Sequence, residues 1–391
     1  MKICKRGVWD ETVPGITFDE EGNSNFSKIH DALVANFPRG EEGARRWEQS
    51  IEEIRKSGKG KRYDCIIGVS GGTDSSYLMH IAKEKGLRPL AVNLDNGWSS
   101  DISVKNIKIV TSRLGIDLET YVIDYEEIKD YLRAYMRACM PWIDTPTDIA
   151  IKASLYKIAD REGIKYILRG NDFRSEGKQP REWTYSDSRQ FAYILKTFGT
   201  LRMKTFPNLT ARDLVYYGIF RGIKEIRPFY FIEYQKKEAQ EFLIKNYGWE
   251  YYGGHHHENI FTKFAISYWL PRKFGIDKRK ITLSAQVLSG EITRDQALET
   301  LQKPFYDLEQ MERDKDYVIK KLDITPEEFQ RIWNSPNKYF TDYPNYYAMM
   351  SRMVKWLNPV LKLIYTSRPM TFIEMEHREK SKAYTKPGSH S

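Results

Sequence analysis

The sequence predicts an α/β fold: a doubly wound parallel sheet, preceded by a small N-terminal segment and followed by a mostly helical region. Three observations lead there. Between residues 61 and 170, short apolar runs alternate with helically spaced stretches. The runs are short and continuous in their apolar character, as strands buried on both faces are. The first two helical stretches stop at Gly86 and Gly115, residues suited to a helix C-cap. Strand, helix, strand, helix in this order builds a parallel sheet with crossovers.

In chain order, residues 1–60 form the N-terminal segment. Pro14–Gly15 and Asp19-Glu20-Glu21-Gly22 mark turns, and Phe26–Ile54 has helical spacing broken near Pro38–Gly40. Ser57–Gly60 reads as a linker. The expected domain over 61–200 has strands at Tyr63–Val69, Arg88–Leu94, Leu118–Ile123 and Lys165–Leu168. Its helices fall at Asp74–Lys85, Ile102–Leu114, Tyr125–Cys139 and Thr147–Glu162. Residues 201–377 read as a mainly helical substrate or partner region. Helix starts there are marked by capping boxes at Thr293 with Gln296 and at Thr325-Pro326 with Glu328. Tyr346–Tyr365 is an apolar, Met-rich amphipathic stretch interrupted by Pro359, suited to packing on the core or an oligomer interface, or else to a membrane surface. Residues 378–391 read as a polar, frayed tail. There are no internal repeats.

The chain has 391 residues and a net charge of +9, spread along its length. That charge suits anionic partners: nucleotides, sugar nucleotides, RNA or an anionic membrane. The three cysteines, Cys4, Cys65 and Cys139, are too few for a disulfide framework and point to a reducing cytoplasm. The first residues lack the apolar core of a signal peptide, and no stretch reaches the ~18–20 apolar residues of a membrane span.

The segment GVSGGTDSS, Gly68–Ser76, follows a strand and opens a helix. Ligands of parallel sheets bind at the carboxyl ends of strands, and a helix N-terminus there presents free N–H groups to phosphate. Gly71 and Gly72 let the backbone approach closely, while Ser70, Ser75 and Ser76 add hydroxyls. Asp74 suits Mg²⁺, which prefers one or two carboxylates plus phosphate oxygens. The loop lacks the GK[ST] of a Walker A motif. Asp95-Asn96-Gly97-Trp98, at the end of the second strand, offers Trp98 to stack or pack and Asn96 to hydrogen-bond. Arg169-Gly170-Asn171-Asp172 ends the fourth strand on the same sheet edge.

The loop resembles the PP-loop of ATP pyrophosphatases, the adenine nucleotide alpha hydrolase-like fold. That resemblance implies ATP and Mg²⁺ as cofactors, release of pyrophosphate and adenylation of a substrate oxygen. It puts ATP against Ser70, Gly71, Gly72, Thr73, Asp74, Ser75 and Ser76, with Asn93, Asp95, Asn96, Trp98, Gly170 and Asn171 nearby. A narrower resemblance rests on PGITFDEEG (Pro14–Gly22), LDNGW (Leu94–Trp98), YGGHHHEN (Tyr252–Asn259) and FTKFAISYWLPRKFGIDKRKITLS (Phe261–Ser284). With these the chain resembles the N-acetyl sugar amidotransferases of surface-polysaccharide and nonulosonic-acid biosynthesis. The implied reaction converts an acetamido group of a nucleotide-linked sugar into an acetamidino group, with AMP and pyrophosphate released. Catalytic candidates are Asp74, Lys263, His256, His257 and Glu258. Arg272, Lys273 and Lys278 are candidates for pyrophosphate or substrate. The histidines are suited to substrate positioning, proton transfer or a metal.

Two departures from that family stand out. Its members often begin with two C-x-x-C pairs, whereas the positions here read Cys4, Gly7, Ser24 and Ser27. One thiol cannot hold tetrahedral zinc, so no structural zinc is expected, and Trp9 and Phe18 are the expected anchors. None of the three cysteines has the setting of a glutaminase nucleophile. Ammonia is therefore expected free or from a separate class I glutaminase subunit. Two alternatives remain: a tRNA-modifying adenylating enzyme, against which stands the lack of any C-x-x-C pair or compact RNA-binding module, and a non-catalytic nucleotide-binding scaffold subunit.

Overall fold

A computed structural model describes residues 1–254, 257–304, 306–364 and 370–379. Five parallel strands form one sheet: β1 (Cys65–Gly68), β2 (Pro89–Asp95), β3 (Leu118–Val122), β4 (Tyr166–Leu168) and β5 (Lys224–Ile226), in the order β3-β2-β1-β4-β5. The chain winds outward from β1 in one direction through β2 and β3, and in the other through β4 and β5. The order reverses between β1 and β4, and such a switch point leaves a crevice at the carboxyl ends of the strands. Four of the strands were legible in the sequence. The fifth, Lys-Glu-Ile, is polar and three residues long, with neither alternation nor an apolar run to reveal it.

The helices α1 (Asn25–Asn36), α2 (Gly40–Ser57), α3 (Thr73–Glu84), α4 (Asp101–Leu114), α5 (Tyr125–Arg137) and α6 (Thr145–Arg161) cover the sheet and the N-terminal side. Strand side chains alternate between faces. Cys65 and Ile67 of β1 pack with Trp47, Ile51 and Ile54 of α2 and with Leu78 and Met79 of α3. Ile66 points the other way, onto Leu155, Ile158 and Ala159 of α6. Gly115 ends α4 at φ 59°, the left-handed cap that its position predicted.

Hydrogen bonds and packing hold the N-terminal segment. Cys4 is fully buried, and its sulfur accepts the backbone N–H of Ser24 at 3.3 Å. Arg294 donates to the carbonyls of Cys4 and Gly7, and the N–H of Val8 donates to the Ser284 hydroxyl at 2.8 Å. A side chain at Gly7 would meet the Trp9 ring at 2.7 Å, so indole occupies the centre of this turn. Trp9 is buried and stacks on Phe26; Phe18 is half-buried beneath Lys2.

Three local expectations change. Thr325 caps its helix through the N–H of Glu328 but lacks the reciprocal bond that Thr293 and Gln296 form. Pro359 does not interrupt the helix Tyr347–Ile364. Arg378, read as the start of a frayed tail, lies in the helix Met370–Glu379 and is 6% exposed. Its guanidinium binds both carboxylate oxygens of Glu182 at 2.9 and 3.0 Å and reaches the carbonyl of Pro14. The rest of the tail, 380–391, lies outside the described residues.

Breaking a buried ion pair from one side leaves its partner uncompensated. Arg378→Ala is therefore expected to lower the unfolding free energy by about 3–5 kcal/mol in urea denaturation.

Candidate functional site

A cavity of about 320 Å³ opens at the switch point, within the ~300–1,000 Å³ typical of ligand sites. Gly68–Ser70, Gly72, Asp74 and Ser75 form its floor, beyond the end of β1. Gly71 has φ 77°, and a Cβ there would lie 2.2 Å from the carbonyl oxygen of Ser103. Only glycine makes this turn. Its own carbonyl accepts from the Trp249 indole at 3.0 Å and from Asn106 at 3.3 Å. The loop also closes on itself: Ser70 Oγ accepts from Gly72 N–H, and Ser75 Oγ donates to the Gly72 carbonyl. Ser76 is fully buried, and its hydroxyl makes no hydrogen bond among the described residues.

Asp74 faces the cavity from the first turn of α3. Tyr234 donates its hydroxyl to Asp74 Oδ1, and Lys236 donates to Oδ2 at 3.2 Å. Tyr234 stacks on Phe229 with ring centroids 4.1 Å apart. Burial and the Asp74 charge both push the Tyr234 phenol up, so it stays a donor. Burial opposes the Lys236 charge, but Asp74 and Glu176 outweigh it and hold the ammonium.

The end of β2 contributes Asn93, Leu94 and Asn96. Asn96 is 3% exposed and donates to Thr147 Oγ1 at 3.1 Å. Asp95 and Trp98 do not line the cavity. Asp95 accepts the N–H of Gly97 in a local turn. Trp98 is fully buried against Phe261 and Lys321, so it packs and is not placed to stack on a ligand. Beyond β4, Arg169, Gly170 and Asn171 join the wall. A Cβ at Gly170 would lie 2.8 Å from the Asp74 backbone, so these two strand ends touch. Asp172 is buried behind them, ion-paired to Arg39 at 3.0 Å and pushed up to about 6 by burial.

Of the remaining wall, Glu258 alone was among the candidates. It consists of Trp142, Asp144, Thr147 and Asp148 at the start of α6, with Glu176, Glu258, Asn259 and Thr262. The Trp142 indole donates to Asp148 at 2.6 Å, and Thr262 donates to Asp144. Trp142-Ile143-Asp144-Thr145-Pro146 carried one readable signal, a Pro at the first helical turn. Tyr234 and Lys236 carried none.

The basic candidates spread apart. Lys263 pairs with Asp314 at 2.6 Å, and Arg272 with Glu312 at the surface. Lys273 spends its ammonium on the carbonyls of Ile332, Trp333 and Ser335, which end a helix. None of these three lines the cavity. Lys278 lies 4.4 Å over the Trp142 ring; burial lowers it to about 8, against the pull of Asp148, Glu176 and Asp144. Glu258 lines the cavity, whereas His257 packs on Tyr306. His256 lies outside the described residues, and no metal-holding group of three or more His, Cys, Asp or Glu occurs among those described. No described helix is long and apolar enough to cross a membrane.

The donor set fits ATP with Mg²⁺: a glycine cradle, helix N–H groups, and Asp74 as a carboxylate beside them in the cavity. Residues 65–171 match the asparagine synthase family, and residues 258–357 match the LPS biosynthesis protein WbpG-like, C-terminal domain. Together they support an N-acetyl sugar amidotransferase-like family within the PP-loop ATP pyrophosphatases. An uncharacterized protein of Methanocaldococcus jannaschii is 29% identical over 129 residues, 32% of this chain and 45% of that one. A tRNA(Ile)-lysidine synthase of Chlamydia pneumoniae is 35% identical over 72 residues, 18% of this chain and 22% of that one. The chain thus spans less than half the length of these relatives. An NH3-dependent NAD synthetase structure from Campylobacter jejuni aligns over 77% of this chain and 97% of its own, at 12% identity and TM-score 0.28.

Two outcomes follow from this geometry. Gly71→Ala, strained at positive φ and overlapping Ser103, is expected to weaken binding of a non-hydrolysable ATP analogue about ten-fold or more by calorimetry. Folded Lys278 releases its proton near pH 8, while the unfolded chain keeps it to about 10.5, so its contribution to stability rises with pH across that window. Lysine side-chain NMR, assigned with Lys278→Met, should show that midpoint.

Proposed function

We propose that this chain, of an N-acetyl sugar amidotransferase-like family, is an ATP-dependent, AMP-forming amidine synthase. Its substrate is a nucleotide-linked N-acetyl sugar, whose acetamido group becomes an acetamidino group. One observation carries the reading. The two matched segments meet in one cavity: the first supplies Ser70, Gly72 and Asp74, and the second supplies Glu258, Asn259 and Thr262 opposite them.

The chemistry accounts for both walls. An amide carbonyl is a poor electrophile. Its oxygen attacks the α-phosphorus of ATP, the O–P bond forms, and the bond to pyrophosphate breaks. Ammonia then attacks the imidate carbon, the C–O bond breaks, and AMP leaves. The loop N–H groups and the α3 N-terminus hold the phosphates. Asp74 would help to hold Mg²⁺, which would supply charge neutralisation for the departing pyrophosphate. The reaction also turns a neutral amide into an amidinium cation. Asp144, Asp148, Glu176 and Glu258 line the cavity, and carboxylates there favour developing positive charge. Ammonia comes from solution or from a separate class I glutaminase subunit, and the reaction takes place in the cytoplasm. The tRNA-modifying alternative rests on relatives whose likeness covers at most 34% of this chain.

Incubation with ATP, Mg²⁺, ammonium and a UDP-linked diacetamido sugar is expected to yield a sugar in which NH replaces one oxygen. AMP and pyrophosphate should appear in equal amounts, read by mass spectrometry. Asp74→Asn should cut AMP release about 100-fold or more, the scale of lost electrostatic stabilisation. AMP formation that requires RNA in place of the sugar would overturn the reading.

A further inference from the structure

The cavity is poor in positive charge for a site that must hold two phosphorylated substrates. Carboxylates of Asp74, Asp144, Asp148, Glu176 and Glu258 line it, and among the described residues Arg169 is its single Lys or Arg. Arg169 immediately follows β4, and its backbone N–H binds the carbonyl of Ile226 at the end of β5. Its half-buried guanidinium forms no hydrogen bond and no ion pair among the described residues.

Two more cations stand beside it. Lys152 projects from α6, one residue from the cavity-lining Ile151, and lies 3.9 Å from Glu225. Arg227 follows β5 and binds Glu225 at 3.1 Å; its Nε is buried without a partner. Glu225 is thus the single carboxylate facing three cations. Burial opposes its charge, yet Arg169, Lys152 and Arg227 hold it below the usual carboxylate range. Lys152 is lowered by burial and by repulsion from Arg169 and Arg227, against the pull of Glu225. Two positive charges are left over, gathered at the carboxyl ends of β4 and β5. Lys152 and Arg227 retain side-chain exposures of 40% and 32%, so the cluster runs from the cavity wall to an open edge.

We propose that Arg169, Lys152 and Arg227 form a seat for the diphosphate of the nucleotide-linked substrate, with Arg169 gripping phosphate oxygens directly. The ATP phosphates take the loop after β1, where N–H groups and a helix N-terminus replace cations. The second diphosphate takes the other side of the switch point, where an unpaired guanidinium is suited to bidentate phosphate binding. The nucleoside then lies over the β5 edge, and the sugar reaches inward past Asn171 toward the acidic wall. This assignment rests on the proposed nucleotide-sugar chemistry and names where that substrate binds.

Calorimetry tests it with the full chain saturated by a non-hydrolysable ATP analogue and Mg²⁺, titrated with UDP, CDP, GDP or dTDP. At least one nucleoside diphosphate should bind, and Arg169→Gln should weaken it about ten-fold or more, the scale of a lost charge-assisted pair. Arg227→Gln should weaken it less, and Arg169→Lys should fail to restore it. The corresponding nucleoside without phosphates should bind the same to wild type and Arg169→Gln. The ATP analogue should bind Arg169→Gln with unchanged affinity, which also shows that the variant folds. The seat is overturned if no nucleoside diphosphate binds, if Arg169→Gln leaves its affinity unchanged, or if the variant loses the ATP analogue instead. Binding that depends on Arg169, with no sugar turned over, would leave the seat standing and sink the amidine chemistry.

Discussion

An acid placed in the first turn of a phosphate-binding helix has to be held, and the clamp on Asp74 organises much of what surrounds it. Tyr234 and Lys236 reach it from the segment beyond β5, so that segment is drawn across the PP-loop. The same stretch continues into the helix Lys236–Tyr247 and then to Trp249 and Tyr252. Trp249 fixes the Gly71 carbonyl, and the Tyr252 hydroxyl accepts the N–H of Thr73. Glu258 and Asn259 follow within a few residues. The Glu258 carbonyl accepts the N–H of Ser100 and ties this wall to the end of β2. Phosphate cradle and acidic wall are therefore two parts of one braced unit.

The N-terminal segment is fastened to the rest of the chain by hydrogen bonds and packing. Cys4, Gly7, Ser24 and Ser27 lie close together in it. Their backbone is fastened by Arg294 and Ser284, and the Trp9 ring fills the turn. Its outer side is closed by Arg378, which bridges Glu182 and the carbonyl of Pro14. These bonds tie the first residues to the region that completes the cavity.

Much of this was legible in the sequence because the signals were local. SGGTDSS between a strand and a helix located the cradle, and Gly86 and Gly115 marked where helices stop. What stayed hidden is long-range. Tyr234 and Lys236 lie about 160 residues from Asp74, and no spacing rule links them. Trp98 and Trp142 look alike as strings, but burial among Phe261, Tyr317 and Lys321 turns the first into core, while Trp142 is left at the cavity. Basic residues after Phe261 looked like a phosphate patch. In the fold, Lys263 and Arg272 meet carboxylates and Lys273 caps a helix, because helical periodicity sends them to different faces.

The central claim is that an amide oxygen is adenylated in the cavity shared by the PP-loop and the Glu258 wall. It is tested most directly by following that oxygen. With ¹⁸O in the acetamido carbonyl of the sugar, the account predicts one ¹⁸O in the phosphate of the released AMP and none in pyrophosphate. Label retained in the sugar while AMP forms, or label found in pyrophosphate or orthophosphate, would contradict it.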